Sequence, residues 1–357
     1  MEEFRQKAKN EEYDENIINS NRFKLFEMSS LTTTLGGLDV PLLTITDFSH
    51  TRAEEVRKKV ILITGRVHPV ETHASWVLHG IIKFLLSKDK VADALRRRVI
   101  FKIIPMLNAD GVTIGNTRCS FIGRDVNRLY SHPNQKLAPE PYYMRNLVRD
   151  LQKTDKHRVQ FYLDVHAHSG RKAIFMYGPH FPLHCSKYMK IRTLPKLVSE
   201  RTDMFRFFSC KFRIEKYKEN CARIAIWRDF NITNVYTVET SSYGFLSRER
   251  ETIPFDSKHL QDFGQSLVHS IFEYLLIQDE DRRMKVALAK RLKAQRKTKR
   301  NTIAEILGGF NPRRKYRRVS INNADLENEN VYDYEDVRAS NQVKEINIEP
   351  VGNPNEA

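Results

Sequence analysis

The chain has no apolar run approaching the roughly 20 residues that a membrane-spanning helix needs. Its opening, MEEFRQKAKNEEYDEN, is charged throughout, so it lacks the apolar core of a secretory signal. Cysteine is sparse: Cys119, Cys185, Cys210 and Cys221 are scattered without a C-x-x-C pair. With no export signal, four reduced thiols and a cytosolic compartment are expected. No internal repeat is visible. What remains is a soluble, core-forming composition: 357 residues, 40% hydrophobic and 29% charged, enough for one large α/β domain with attachments or two ordinary domains. The net charge of +16, from 60 basic and 44 acidic residues, raises the local concentration of acidic partners.

Residues 1 to about 30 are polar and irregular, and LTTTLGGLDVPLLTITDF then reads as a hairpin turning at Gly36-Gly37. From Lys59 the pattern is α/β. KVILIT, VIFKIIP, QFYLDVH, KAIFMYG, ARIAIW and NVYTVE read as strands. HASWVLHGIIKFLL, with Thr72 as its candidate cap, and LQDFGQSLVHSIFEYLLI read as helices. Strands interleaved with helices predict a mixed, largely parallel sheet with its site at the strand ends. After Ile277 the composition changes. Residues 282 to 300 hold ten Lys or Arg and no acid, RRKYRR follows at 313–318, and from Ser320 nine acids face two bases. A basic helix followed by a disordered acidic tail is expected.

Four local elements carry chemistry. RVHPVETHASW places His68 and Glu71 three residues apart at a strand-to-helix transition, where an imidazole and a carboxylate can converge on Zn²⁺. An H-x-x-E alone arises often by chance, so weight falls on the second element, FYLDVHAHSG, at the end of another buried strand. There His166 stands where a third ligand is expected, and two nitrogens, one carboxylate and an open position make a catalytic zinc site. His168, two residues on, faces the same side of a strand, and spacing does not choose between them. The third element, NVYTVETSSYG, ends a strand in Glu239, a suitable general base for bound water and, taken alone, an ordinary edge glutamate. The fourth, NTRCSFIGRDVNRLY, puts Arg118, Arg124 and Arg128 in one loop, where guanidinium forks bind carboxylates and stabilise oxyanions.

In order along the chain, TLGGLDVPLLTIT, GRVHPVETHASWV, IPMLNADGV, GNTRCS, GRDVNRLY, DVHAHSG, IFMYG, CKFRIEKYKENCARIAIWR and VYTVE resemble the zinc metallocarboxypeptidases, specifically the cytosolic carboxypeptidases that act as tubulin deglutamylases. The likeness runs from about residue 31 to about residue 277. It implies zinc ligands at His68, Glu71 and His166, a catalytic glutamate at Glu239 and an oxyanion-stabilising Arg118. It also implies that Asn127 and Arg128 hold the substrate's terminal carboxylate, and that Asp125 orients the His68 imidazole. The basic residue that takes the terminal glutamate side chain falls on Arg223, and Tyr217 is the candidate for a substrate-capping tyrosine. Ala167 stands where the family has glycine, NADG replaces N-P-D-G, and Leu129-Tyr130 follows the Asn-Arg pair. None of these removes a catalytic group.

The resemblance divides the chain into residues 1–45, the final hairpin of a β-sandwich domain that precedes the catalytic domain in the family; a catalytic domain at 46–278; a basic helical extension at 279–318; and an acidic tail at 319–357. It implies one Zn²⁺ per chain, cytoplasmic placement with microtubule or cilium association, and acidic protein tails such as those of tubulin as partners. Residues 282–318 are then a candidate contact for the microtubule surface. A zinc amidohydrolase acting on small N-acyl amino acids shares the H-x-x-E and the later histidine, but DVHAHSG and ARIAIWR favour a carboxypeptidase. A non-catalytic microtubule- or RNA-binding protein is disfavoured because every catalytic position is kept. The basic cluster also lacks the interleaved aromatics of an RNA-stacking surface.

Overall fold

Among the described residues, seven strands form a central sheet in the order β1-β2-β4-β3-β5-β7-β6: β1 (Phe26–Thr33), β2 (Asp39–Ile45), β3 (Lys59–Gly65), β4 (Val99–Ile104), β5 (Val159–His168), β6 (Phe175–Tyr177) and β7 (Asn234–Ser241). The four central strands run parallel, while β1, β2 and β6 are antiparallel to their neighbours. The computed structural model describes residues 25–49 and 58–306 apart from 154, 156, 157 and 248, and side chains as far as residue 288. The sequence-predicted acidic tail and the RRKYRR cluster lie outside the described residues.

The central strands are parallel because both of their faces are apolar and must be covered. In β3, Ile61 and Ile63 join one core layer and Val60 and Leu62 the other. The first layer lies under α1 (His73–Leu85), α2 (Lys90–Arg98), α5 (Lys187–Arg201) and the first part of α7 (Ser257–Ile306). The second lies under α4 (Pro139–Leu151) and α6 (Ala222–Phe230); α3 (Ala109–Thr113) is a single short turn beyond β4. In α7, Leu260, Phe263, Leu267, Ile271 and Tyr274 supply the helical stripe that the sequence predicts. Its approach to α1 is close enough to require glycine: a Cβ on Gly80 would lie 2.1 Å from the Gln261 carbonyl, and one on Gly264 2.2 Å from that of Val77. From Lys285 the chain belongs to a second compact unit, helical as far as Ile306. Among the described residues, no helix is long and apolar enough to cross a membrane.

The β1–β2 hairpin turns as predicted, with Gly37 at a φ of 82°. It is tied into the sheet by β2–β4 pairing, and its turn is tied to the NADG segment. Asp110 accepts from the Thr34 hydroxyl at 2.6 Å and from Gly36 N at 2.9 Å.

Two local expectations fail. ARIAIW is helix α6, not a strand. Five consecutive buried residues, Ala222 to Ile226, give no periodicity with which to separate a buried strand from a buried helix. Tertiary packing on β5 and β7 decides the matter, and Asn231 ends the helix in a left-handed conformation. Thr72 precedes α1 but makes no side-chain cap bond, because it is already helical in backbone angle. The helices α2, α4 and α5 escaped the sequence pattern; α2 was signalled by Asp89, whose carboxylate accepts from Val91 N at 2.7 Å.

Candidate active site

Parallel strands end together, and here their ends gather the charged residues. In register, Gly65 of β3 faces Val165 of β5, and His166 of β5 faces Glu239 of β7. Immediately after β3, Arg66 takes a left-handed φ of 55°, which folds the chain back on itself. Its guanidinium clasps the Pro69 carbonyl at 2.9 and 2.6 Å and the Ser75 hydroxyl at 3.0 Å. The turn closes with Glu71 N on the His68 carbonyl at 3.2 Å. Asn108, from NADG, supports it by donating to the Val67 carbonyl at 3.1 Å. So the H-x-x-E spacing works through a braced tight turn that sends both side chains the same way.

His68, Glu71 and His166 meet there, with candidate ligand atoms all within 4.8 Å of one another. Glu71 Oε1 lies 2.7 Å from His68 Nδ1 and Oε2 lies 2.9 Å from His166 Nδ1. The two Nδ1 atoms are 3.2 Å apart. Each ring turns its other nitrogen to a carboxylate: His68 Nε2 to Asp125 at 3.2 Å and His166 Nε2 to Asp164 at 2.8 Å. Two nitrogens and a carboxylate oxygen facing one point, with carboxylates behind both imidazoles, is a donor set that fits zinc.

The electrostatics follow from this packing. Burial works against ionising Glu71, but the His166 and His68 imidazoles outweigh it and hold its carboxyl well below the usual range. Burial likewise opposes a charge on His166 and His68, and their carboxylate partners reverse it, raising both. Asp125 is held down at about 2: burial opposes ionisation, while His68 and Arg118 outweigh it. Glu239 goes the other way, pushed up to about 7 by burial.

The remaining predicted residues surround this cluster. Both nitrogens of His168 are engaged with backbone, Nε2 donating to the Ala173 carbonyl at 3.1 Å and Nδ1 accepting from Gly170 N at 3.2 Å. Of the two candidate histidines, the structure therefore brings only His166 into the cluster. Arg118 reaches Asp125 through Nε at 2.8 Å and Nη2 at 2.7 Å, a fork on the oxygen opposite His68. Arg128 donates to the Asn127 carbonyl at 2.9 Å. The buried Asn127 amide accepts from Ala222 N at 2.9 Å, and its Nδ2 lies 3.4 Å from His166 Nε2. Arg223, only 2% exposed, donates Nη1 to the Gly178 carbonyl at 3.0 Å, and its Nε finds no partner among the described residues. Tyr217 is exposed, its hydroxyl on Glu215 at 3.2 Å. Arg124, in the same loop as Arg118 and Arg128, is exposed, and its backbone carbonyl accepts from Ser120 N at 2.9 Å.

Asp164 and Arg66 are the residues that sequence reasoning missed. Asp164 is wholly buried, and its second oxygen accepts from the Thr64 hydroxyl at 2.7 Å. A D-x-H on a strand was the available signal, because residues two apart share a face.

Comparison with known proteins places this arrangement. The family described as zinc carboxypeptidase matches residues 18–261. Cytosolic carboxypeptidase 2 of Danio rerio is 39% identical over 245 residues, 68% of this chain and 34% of the relative. Cytosolic carboxypeptidase 3 of Bos taurus is 36% identical over 255 residues, 71% of this chain and 25% of the relative. The chain thus spans about a quarter to a third of the length of these relatives. In fold it is similar to a metallo-carboxypeptidase from Burkholderia cenocepacia, with a TM-score of 0.61 at 21% identity over 71% of this chain and 65% of that one. The chain belongs to the zinc carboxypeptidase family.

Proposed function

We propose that this chain is a zinc-dependent metallocarboxypeptidase that removes C-terminal glutamates from acidic protein tails, such as those of tubulin, in the cytoplasm. The observation that carries the reading is the convergence of His68, Glu71 and His166 beside Glu239, which pairs in register with His166. In this reading those three residues hold one Zn²⁺, through Nδ1 of each histidine and the Glu71 carboxylate. When bound, the metal supplies Lewis-acid polarisation of a carbonyl and acidifies water.

The chain's own residues do the rest. Glu239, whose burial favours taking up a proton, accepts one from the attacking water and passes it to the leaving amine. Arg118 stabilises negative charge developing on the carbonyl oxygen, and its bond to Asp125 couples that cation to the group behind His68. Arg128 grips the free α-carboxylate, which restricts cleavage to the chain end. Asn127 completes that pair by holding Arg128 through its carbonyl, while its amide braces His166 and α6. Arg223 offers a buried guanidinium with an unsatisfied Nε, suited to the side-chain carboxylate of a terminal glutamate. The net charge of +16 favours capture of an anionic tail, and residues 282–318 would contact the acidic microtubule or ciliary surface.

The test is mass spectrometry of a peptide ending in several glutamates, incubated with zinc-loaded protein and with Glu239→Ala. Stepwise loss of single glutamate residues with the unmutated chain alone is expected. Equal loss with both proteins removes Glu239 from the mechanism, and loss of apolar but not acidic end residues overturns the substrate class.

A further inference from the structure

Just before α6, residues 211–218 carry Lys211, Arg213, Lys216 and Lys218, and within that stretch a single acid, Glu215. That carboxylate is enclosed. Its Oε2 accepts from Lys218 Nζ at 2.6 Å and from the Tyr217 hydroxyl at 3.2 Å, and Arg213 Nη2 lies 3.5 Å from Oε1. Lys218 Nζ is itself set against two rings, 4.7 Å from the centre of Tyr177 and 5.0 Å from that of Tyr217. Tyr177 also has the Arg223 guanidinium 5.8 Å and the Lys211 ammonium 6.0 Å from its ring centre. On β6 it stands two residues from Phe175, the register partner of Glu239.

Three donors of two cationic types and a hydroxyl, arranged around one carboxylate, are the recognition chemistry of a carboxylate site. Here the occupant is part of the chain. Glu215 and Lys218 are half-buried, their side chains 20% and 22% exposed, so their ion pair reaches solvent and can exchange partners. Arg223 differs: it is buried deeper and is bonded to the backbone.

We propose that Arg213, Tyr217 and Lys218 form a second carboxylate subsite beside the catalytic centre, taking the acidic side chain of a residue upstream of the one removed, and that Glu215 occupies it until such a peptide displaces it. The inference rests on the carboxypeptidase reading of the site. It makes the enzyme a reader of consecutive acids rather than of a terminal acid alone. It also gives Glu215 the role of an internal competitor.

The experiment measures binding, so that it stands apart from turnover. Zinc-loaded full chain carrying Glu239→Gln is titrated into fluorescent peptides ending in four glutamates or in three alanines and one glutamate, and anisotropy is read. The all-glutamate peptide is expected to bind about tenfold tighter, the size of one charge-assisted contact. Lys218→Met should shrink that gap to about threefold or less, and Glu215→Gln should tighten the all-glutamate peptide several-fold, both variants melting like the parent by circular dichroism. An unchanged gap in Lys218→Met, or no tightening in Glu215→Gln, overturns the proposal. If the gap closes as expected but the unmutated chain releases no residue from either peptide, the subsite stands and the proposed activity falls. Release from both peptides at equal affinity does the reverse.

Discussion

The two imidazoles of the site are held in opposite ways. His68 comes from a loop, and its supporting carboxylate, Asp125, comes from another loop and is braced by Arg118, a side chain 49% exposed. His166 comes from the middle of a sheet, and its support, Asp164, is fully buried on the same strand with Thr64 behind it. The first half of the site can be re-supported by water when a partner is lost; the second cannot, since a buried polar group left unpaired carries its full desolvation cost. The difference makes the strand side the fixed jaw and the loop side the adjustable one.

The largest expected effect leaves both jaws intact. Glu239→Gln should lower kcat by about a thousandfold or more while zinc content, measured by atomic absorption, stays at the parent value. Retained turnover would remove the base from β7.

Next comes a buried carboxyl that lacks what the jaws provide. Glu140, 2% exposed on α4 and near Asp110, is pushed up to about 7 by burial, whereas Asp125 and Asp164 have imidazole partners. Its native value lies above the unfolded one, so the fold binds the extra proton between about pH 4.5 and 7. Stability is therefore full below that window and declines as pH rises through it. Urea titrations should show a loss of up to about 3 kcal/mol across the window, absent in Glu140→Gln.

The comparison itself is tested by two variants. Asp164→Asn should weaken zinc affinity by as much as about a hundredfold, read by competition with a chromogenic chelator. Asp125→Asn should cost about tenfold or less by the same readout, because solvent reaches that side. Equal losses would erase the distinction between fixed and adjustable jaws.

Much of this site was legible along the chain, since its parts are short patterns at element ends. H-x-x-E after KVILIT, DVHAH after QFYL and VYTVE each mark a strand by its apolar run and place a reactive group where that run stops. The same logic missed α6, where the residues Ala222 to Ile226 are buried on every side, and it missed Asp164, which reads as one acid in a strand until Thr64, from a different strand, is seen to bond it. Nor did it single out Lys218 and Glu215, because their meaning depends on Tyr177 some forty residues earlier.

By itself the sequence determined which chemical groups exist and which segments are buried enough to be central strands, because periodicity and charge are local properties. The choice of His166 over His168 was different, since two residues on one face of a strand have equal spacing from everything else in the sequence. Spacing left it open and the resemblance implied His166; what only the tertiary structure decided is the contrast in surroundings, engaging both nitrogens of His168 with nearby backbone and setting Asp164, Glu71 and Asn127 around His166. The physical reason is reach: a hydrogen bond is satisfied by whatever lies about 3 Å away, and at this site those atoms come from segments as far apart as residues 71 and 166.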